Sequence, residues 1–194
     1  MRRRTFDVLL ATSGLIVAAV LLAAGGLLTW AHSFVNDQVT SQLTSQKIFF
    51  PPKGDAALAS PEIKPYLEQY AGQQLTNGAQ AKAYADHFIA VHINEMTGGK
   101  TYAQVSAASM AAPSNTKLAD LVQTVFRGET LRGLLLNSYA FWQMGQIALY
   151  GAIASFIGAG VMLLLSLAGF AHLRRVPETE DVLTGKHQTH PATV

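Results

Sequence analysis

The chain has 194 residues, of which 49% are hydrophobic and only 13% charged, where an ordinary soluble domain carries roughly a quarter charged residues. Its net charge is +2 and it has no cysteine, which excludes disulfides, thiolate metal sites and cysteine nucleophiles. The missing charge is concentrated in residues 8–30 and 133–171, which hold no Asp, Glu, Lys or Arg. That excludes a soluble enzyme with one large core and points to an integral membrane protein.

Residues 1–7 carry Arg2, Arg3 and Arg4 ahead of the first apolar run. Residues 8–30, as a helix rising 1.5 Å per residue, reach about 34 Å, enough for a hydrocarbon core of about 30 Å with some tilt. Their eleven Leu, Ile and Val side chains favour insertion by roughly 3 to 7 kcal/mol. Arg3-Arg4-Thr5-Phe6 also has the look of a twin-arginine signal. The apolar run exceeds the 7 to 15 residues of a signal-peptide core, however, and no clear A-x-A cleavage site follows. The reading is a retained transmembrane helix.

Residues 31–146 are expected to form an extracytoplasmic helical domain. Segment 31–132 balances eight basic against eight acidic side chains, so it is easily translocated and lacks the clustered Lys and Arg that nucleic acid requires. The first helix should run on to about Gln46, until Ile48-Phe49-Phe50-Pro51-Pro52 stops it, because proline lacks the amide donor and disfavours helix in the residue before it. Ser60-Pro61-Glu62 predicts an N-cap, a proline at the first helical position and an acid in the first turn, starting a short helix to about Tyr70.

Thr76-Asn77-Gly78 begins the next helix, with Ala81, Tyr84, Phe88 and Val91 on one face and Gly98-Gly99 at its end. Thr101 should cap a helix to about Ala111, and Pro113 breaks it. From about Thr116 the stripe Leu118, Leu121, Val122, Val125 and Leu131 leads without a proline into the second span, predicting one continuous helix to Leu173. Residues 147–171 are the second transmembrane helix and 172–194 a cytoplasmic, polar, disordered tail. Arg2 to Arg4 and Arg174 with Arg175 place both termini in the cytoplasm by the positive-inside rule. The fold class is thus an all-α protein of the plasma membrane, two transmembrane helices flanking a small extracytoplasmic helical domain, the second span continuous with a long outer helix.

Small residues mark helix packing. Gly151, Ser155 and Ala159 recur every four residues in the second span, and Gly14 and Ala18 offer the same spacing in the first, allowing close approach of the two spans, of a membrane protein partner or of a second copy. Phe49 and Phe50 in an apolar loop are either a docking surface or a plug over the helical core. Arg127, Glu129 and Arg132 form a charged cluster that can organise a partner or a neighbouring helix.

His87, His92 and Glu95 are the residue types that hold non-haem iron or zinc. On an α-helix His87 and His92 lie about 140° apart, whereas paired ligands use a spacing of three or four. His187 and His190 in the tail offer at most a two-ligand grip. No metal or cofactor is therefore expected. Neither span contains the ionisable residues of a transporter or proton relay, and no phosphate loop or G-x-S-x-G elbow is present.

The segments Ile48-Phe49-Phe50-Pro51-Pro52, Tyr70-Ala71-Gly72-Gln73-Gln74-Leu75, Tyr84-Ala85-Asp86-His87-Phe88 and Phe126-Arg127-Gly128-Glu129-Thr130-Leu131-Arg132-Gly133 resemble those of a family of small actinobacterial two-span membrane proteins. The resemblance covers nearly the whole chain except the tail and implies the two-span plan. Some members carry an aromatic ring-opening dioxygenase label, a chemistry that needs two histidines and a carboxylate on one iron; the helical phase of His87 and His92 does not supply them. The expected function is a non-enzymatic interaction or accessory subunit of an envelope or respiratory membrane assembly, contacting lipid and a membrane protein partner or homo-oligomer. The alternative is an extracytoplasmic sensor or ligand-binding module signalling through a partner.

Overall fold

The computed structural model describes residues 3–175, so the expectations for Arg2 and for the tail from residue 176 onward lie outside the described residues. Helices α1 (Arg3–Ser45), α2 (Lys64–Leu67), α3 (Gly78–Tyr84), α4 (Ala90–Thr97), α5 (Tyr102–Ala111) and α6 (Thr116–Leu173) follow in chain order. Short 3-10 turns at Ala56–Leu58 and Glu68–Tyr70 and a π-helical turn at Ala85–Ile89 complete them. The fold is all-α, and among the described residues no strand forms. α1 and α6, of 43 and 58 residues, are each long and apolar enough to cross a membrane.

The chain divides into two compact units, Met1–Ala31 with Ile147–Val194, and His32–Gln146. In the first, α1 and α6 pack antiparallel, Ala11 opposite Gly169, Gly25 opposite Phe156 and Leu28 opposite Gly151. On α1 the inward residues are Ala11, Gly14, Ala18, Leu21, Gly25 and Leu28. On α6 they are Ala152, Ser155, Ala159, Met162, Ser166 and Gly169. Both sets step by three and four residues, the 3.5-residue repeat of a left-handed coiled coil. Ala18 and Ala159 are fully buried, and small residues bring the two backbones close. Gly14, Ala18, Ser155 and Ala159 therefore belong to the seam, while Gly151 sits at its edge against Leu28 and Ala152 takes the inward place. Leu10, Ile16, Leu27, Leu164 and Leu165 point outward and are exposed.

In the second unit, α1 ends where Lys47 adopts a left-handed conformation, φ 53°, and the two prolines follow. The chain then returns along itself. Phe50 N–H donates to Gln73 O and Leu75 N–H to Ile48 O, both at 2.9 Å, around an antiparallel bridge of Phe49 with Gln74. This clamp drives Phe50 into a core with Leu43, Ile63, Leu67, Leu75, Ala81 and Val125. Its ring meets those of Tyr70 and Tyr84 at 5.2 and 5.3 Å.

Two helix starts follow their sequence signals. Asn77 caps α3 by accepting from Gln80 N–H, and Thr101 forms a full capping box with Gln104 at the start of α5. α2 differs from expectation. Ser60 makes only a turn, and the helix begins at Lys64 with Ile63 as its cap. Pro65 has no N–H to offer the carbonyl of Pro61, so a helix from position 61 lacks that bond.

Candidate functional site

The most densely charged place in the His32–Gln146 unit forms where the π turn faces α6. α3, the π turn and α4 make one continuous rod, interrupted by a single widened turn in which Ala90 N–H reaches back to Ala85 O. Turns of this kind add a residue to the helix and re-aim the side chains that follow. Here Ala85 and Ile89 stay in the core while Asp86 turns to a charged neighbourhood.

Asp86 pairs with Lys82 one turn earlier and accepts from Arg132 Nη2 on α6 at 3.5 Å. The Nη1 of Arg132 lies 3.4 Å from Glu129 Oε2. Lys82 also stands over the ring of Tyr139, 5.5 Å from its centroid. Partial burial pushes the Asp86 carboxyl up, but the hydrogen bonds and positive charges of Lys82 and Arg132 outweigh it and hold the carboxyl below its ordinary value of 3.8. The Tyr84 phenol is pushed up by burial. The Nε of Arg132 is shielded from solvent and has no hydrogen-bond partner among the described residues.

Beside this network a groove of about 390 Å³ opens between Glu62, Asn94, Lys100, Glu129 and Arg132, with Ile93 on its floor. α4 and α6 meet closely there, since a Cβ on Gly128 would stand 2.8 Å from Ile93 Cδ1. Two carboxylates and two cations line this space, and of these Glu129 and Arg132 already pair with each other. A second cleft of about 360 Å³ is bounded by Phe34, Val35, Gln38, Val39, Asn137 and Phe141 and carries no charge.

The residues singled out from the sequence fall in different places. Glu129 and Arg132 belong to the network, whereas Arg127 is exposed and forms no ion pair among the described residues. Phe49 is exposed, but Phe50 is 2% exposed and is core. The alternation of direction along the clamp sends the two rings to opposite sides, so docking at this loop is open to Phe49 alone.

His87 stacks on Tyr66 with centroids 3.5 Å apart, while His92 donates from Nδ1 to Phe88 O at 2.7 Å and packs on the Phe88 ring. Among the described residues no group of three His, Asp or Glu side chains is placed to hold a metal ion; His187 and His190 lie outside them.

Sequence reasoning missed Asp86 as the centre of the network, and it missed His32, whose Nδ1 contacts the Gly145 carbonyl. The only local signal for Asp86 was Lys82 four residues before it. No protein-family model, curated protein or solved structure matches the chain.

Proposed function

We propose that this chain is a two-span integral membrane protein that acts, without catalysis of its own, as an interaction or accessory subunit of an envelope or respiratory membrane assembly. In this reading residues 8–30 and 147–171 cross the plasma membrane, both termini are cytoplasmic, and residues 31–146 face outside. The arginines flanking the apolar runs support that orientation. The outward Leu and Ile side chains of the Met1–Ala31 and Ile147–Val194 unit suit contact with lipid. The resemblance to small actinobacterial two-span proteins agrees with the plan.

The observation that carries the partner is α5. It holds no charged residue, and of its ten residues only Val105 is buried. Tyr102 and Met110 are 39% and 74% exposed, and Tyr102 lies against the exposed ring of Phe126 on α6. Tyr102, Met110 and Phe126, which edge a helix held by one valine, are of the side-chain types enriched in protein interfaces.

Affinity capture of the natively expressed, tagged protein in mild detergent tests this. A membrane protein should accompany it at fixed stoichiometry and be lost from Met110→Glu and Phe126→Glu variants. Recovery of the chain alone, or of a companion indifferent to both substitutions, argues against the reading. The groove lined by Glu62, Lys100, Glu129 and Arg132 favours a second reading, an extracytoplasmic ligand-binding module signalling through a partner. It predicts that a small polar ligand, probed with glycine or a betaine, raises the melting temperature of the purified protein and that Arg132→Ala abolishes the effect.

A further inference from the structure

An open cavity of about 360 Å³ runs beside the α1–α6 seam in the unit formed by Met1–Ala31 and Ile147–Val194, at the end where α1 starts and α6 finishes. Its floor is closed. Ala11, Gly14 and Ser166 are buried there, the Ser166 hydroxyl packs into the notch left by Gly14, and Asp7 Oδ2 is shielded. What the cavity presents to an occupant is therefore mostly hydrocarbon, from Leu10, Met162 and Leu165. The two leucines are 63% and 62% exposed, so their own apolar surface is left uncovered by the chain.

Positive charge gathers at the end of this hydrocarbon. Arg3, Asp7, Leu10 and Gly14 are spaced by four, three and four residues, so Arg3 lies on the stripe of α1 that lines the cavity, one turn nearer the helix end. On the other side α6 stops where Arg175 N–H turns back to His172 O at 2.8 Å, and His172 is the last residue of α6 to line the cavity. Arg3 and Arg4 from one helix thus meet Arg174 and Arg175 from the other, all four exposed, with Asp7 the one acid beside them among the described residues. Arg3 and Arg4 already engage neighbours, but a guanidinium carries five N–H donors and keeps some for a phosphate. Hydrocarbon ending in arginines is complementary to an apolar chain joined to a negative headgroup. We infer that the cavity holds one acyl chain of an anionic phospholipid, the chain lying between Leu10 and Leu165 and the phosphate meeting Arg3, Arg4, Arg174 and Arg175. The charge-free runs end at residues 8 and 171, which puts the arginines at headgroup depth, and basic clusters at the cytoplasmic ends of membrane helices attract anionic lipid. A zwitterionic headgroup would bring its own cation to the same arginines.

The inference rests on the membrane-inserted reading above. The test offers the full chain, purified in mild detergent, equimolar phosphatidylglycerol, phosphatidylethanolamine and phosphatidylcholine with identical acyl chains, and reads retention by native mass spectrometry. Phosphatidylglycerol should be retained about tenfold over phosphatidylcholine. Arg3→Gln, Arg4→Gln, Arg174→Gln and Arg175→Gln together should bring the ratio within about twofold. Leu165→Trp fills the cavity and leaves the arginines in place, and should lower phosphatidylglycerol retention about threefold or more. Glycerol phosphate, which carries the charge without the chains, should leave the lipid bound at equal concentration. Equal retention of the three lipids by the unaltered protein, a preference that survives loss of the four arginines, indifference to Leu165→Trp, or displacement by glycerol phosphate overturns the proposal. The headgroup series and the displacement decide this even where a variant does not fold. Alkaline carbonate extraction of the native membranes separates the two ideas. An extractable chain overturns both, and an inserted chain without headgroup preference overturns only this one.

Discussion

The Nδ1 of His32 donates a hydrogen bond to the backbone carbonyl of Gly145 across 2.9 Å, joining α1 to α6 between residues 113 apart in sequence. Position 145 is closely packed beside this bond. A Cβ there would stand 3.2 Å from Val35 Cγ1 and 3.8 Å from the His32 ring. Gly145→Val should therefore destabilise the His32–Gln146 unit by about 1 to 3 kcal/mol through overpacking. His32→Ala should cost about 1 kcal/mol. Denaturant unfolding of both single variants and the double variant checks this, and a Gly145→Val protein as stable as the parent would contradict it.

Neighbouring phenylalanines should behave oppositely. Phe50→Ala should cost about 3 to 5 kcal/mol, because the ring lies between Tyr70 and Tyr84 in the core. Phe49→Ala should change stability by less than about 0.5 kcal/mol. Thermal unfolding followed by circular dichroism distinguishes them, and equal losses at the two positions would contradict the assignment of one ring to the core and the other to the surface.

Asp86 should make stability depend on pH in a defined direction. Its folded-state carboxyl is held below 3.8 by Lys82 and Arg132. The stabilisation is therefore fully present above the unfolded-state value and is lost as pH falls through the folded-state value. Exposed and half-exposed pairs of this kind contribute under about 1 kcal/mol. Asp86→Asn should be slightly less stable at neutral pH and should converge with the parent in strong acid. Parallel denaturation curves at every pH would remove the network from the stability of the unit.

The antiparallel seam should resist enlargement on one side only. Ala18→Leu and Ala159→Leu place three extra carbons where no space is left and should each cost about 1 to 3 kcal/mol. Ile16→Leu, on the exposed face, should be neutral. Resistance to unfolding by dodecyl sulfate measures the difference, and a neutral Ala159→Leu would contradict the packing.

What was legible in the sequence was what short-range chemistry decides. The Asn77 and Thr101 caps and the unbroken run from Thr116 to Leu173 all act within a turn or two, and α3, α5 and α6 begin where those residues require, whereas α1 stops at Ser45 on the left-handed Lys47, ahead of Pro51-Pro52. The helix starts at Lys64 rather than after Ser60 because the effect of Pro65 falls on a carbonyl four residues earlier. The small residues of the second span were read with a period of four, but two helices that wrap each other repeat every 3.5 residues, which replaces Gly151 by Ala152 on the inner line.

The π turn had no local signature. Its extra residue is compensated by partners brought in by folding, Arg132 for Asp86 and Tyr66 for His87. The cavity lined by Asp7 and Ser166 draws on both α1 and α6, and neither helix alone announces it.

The attachment of α5 through Val105 also sets how this segment breathes. Burial of one valine stabilises by about 1.5 to 3 kcal/mol, and the helix is bounded by Gly98 and Gly99 in left-handed conformations on one side and Pro113 on the other. It can therefore lift away while the core around Phe50 stays closed, exchanging its amide hydrogens long before those of α3. A protein that takes hold of this helix would meet a latch already free to swing, and occupancy would be recorded as slowed exchange across residues 102–111.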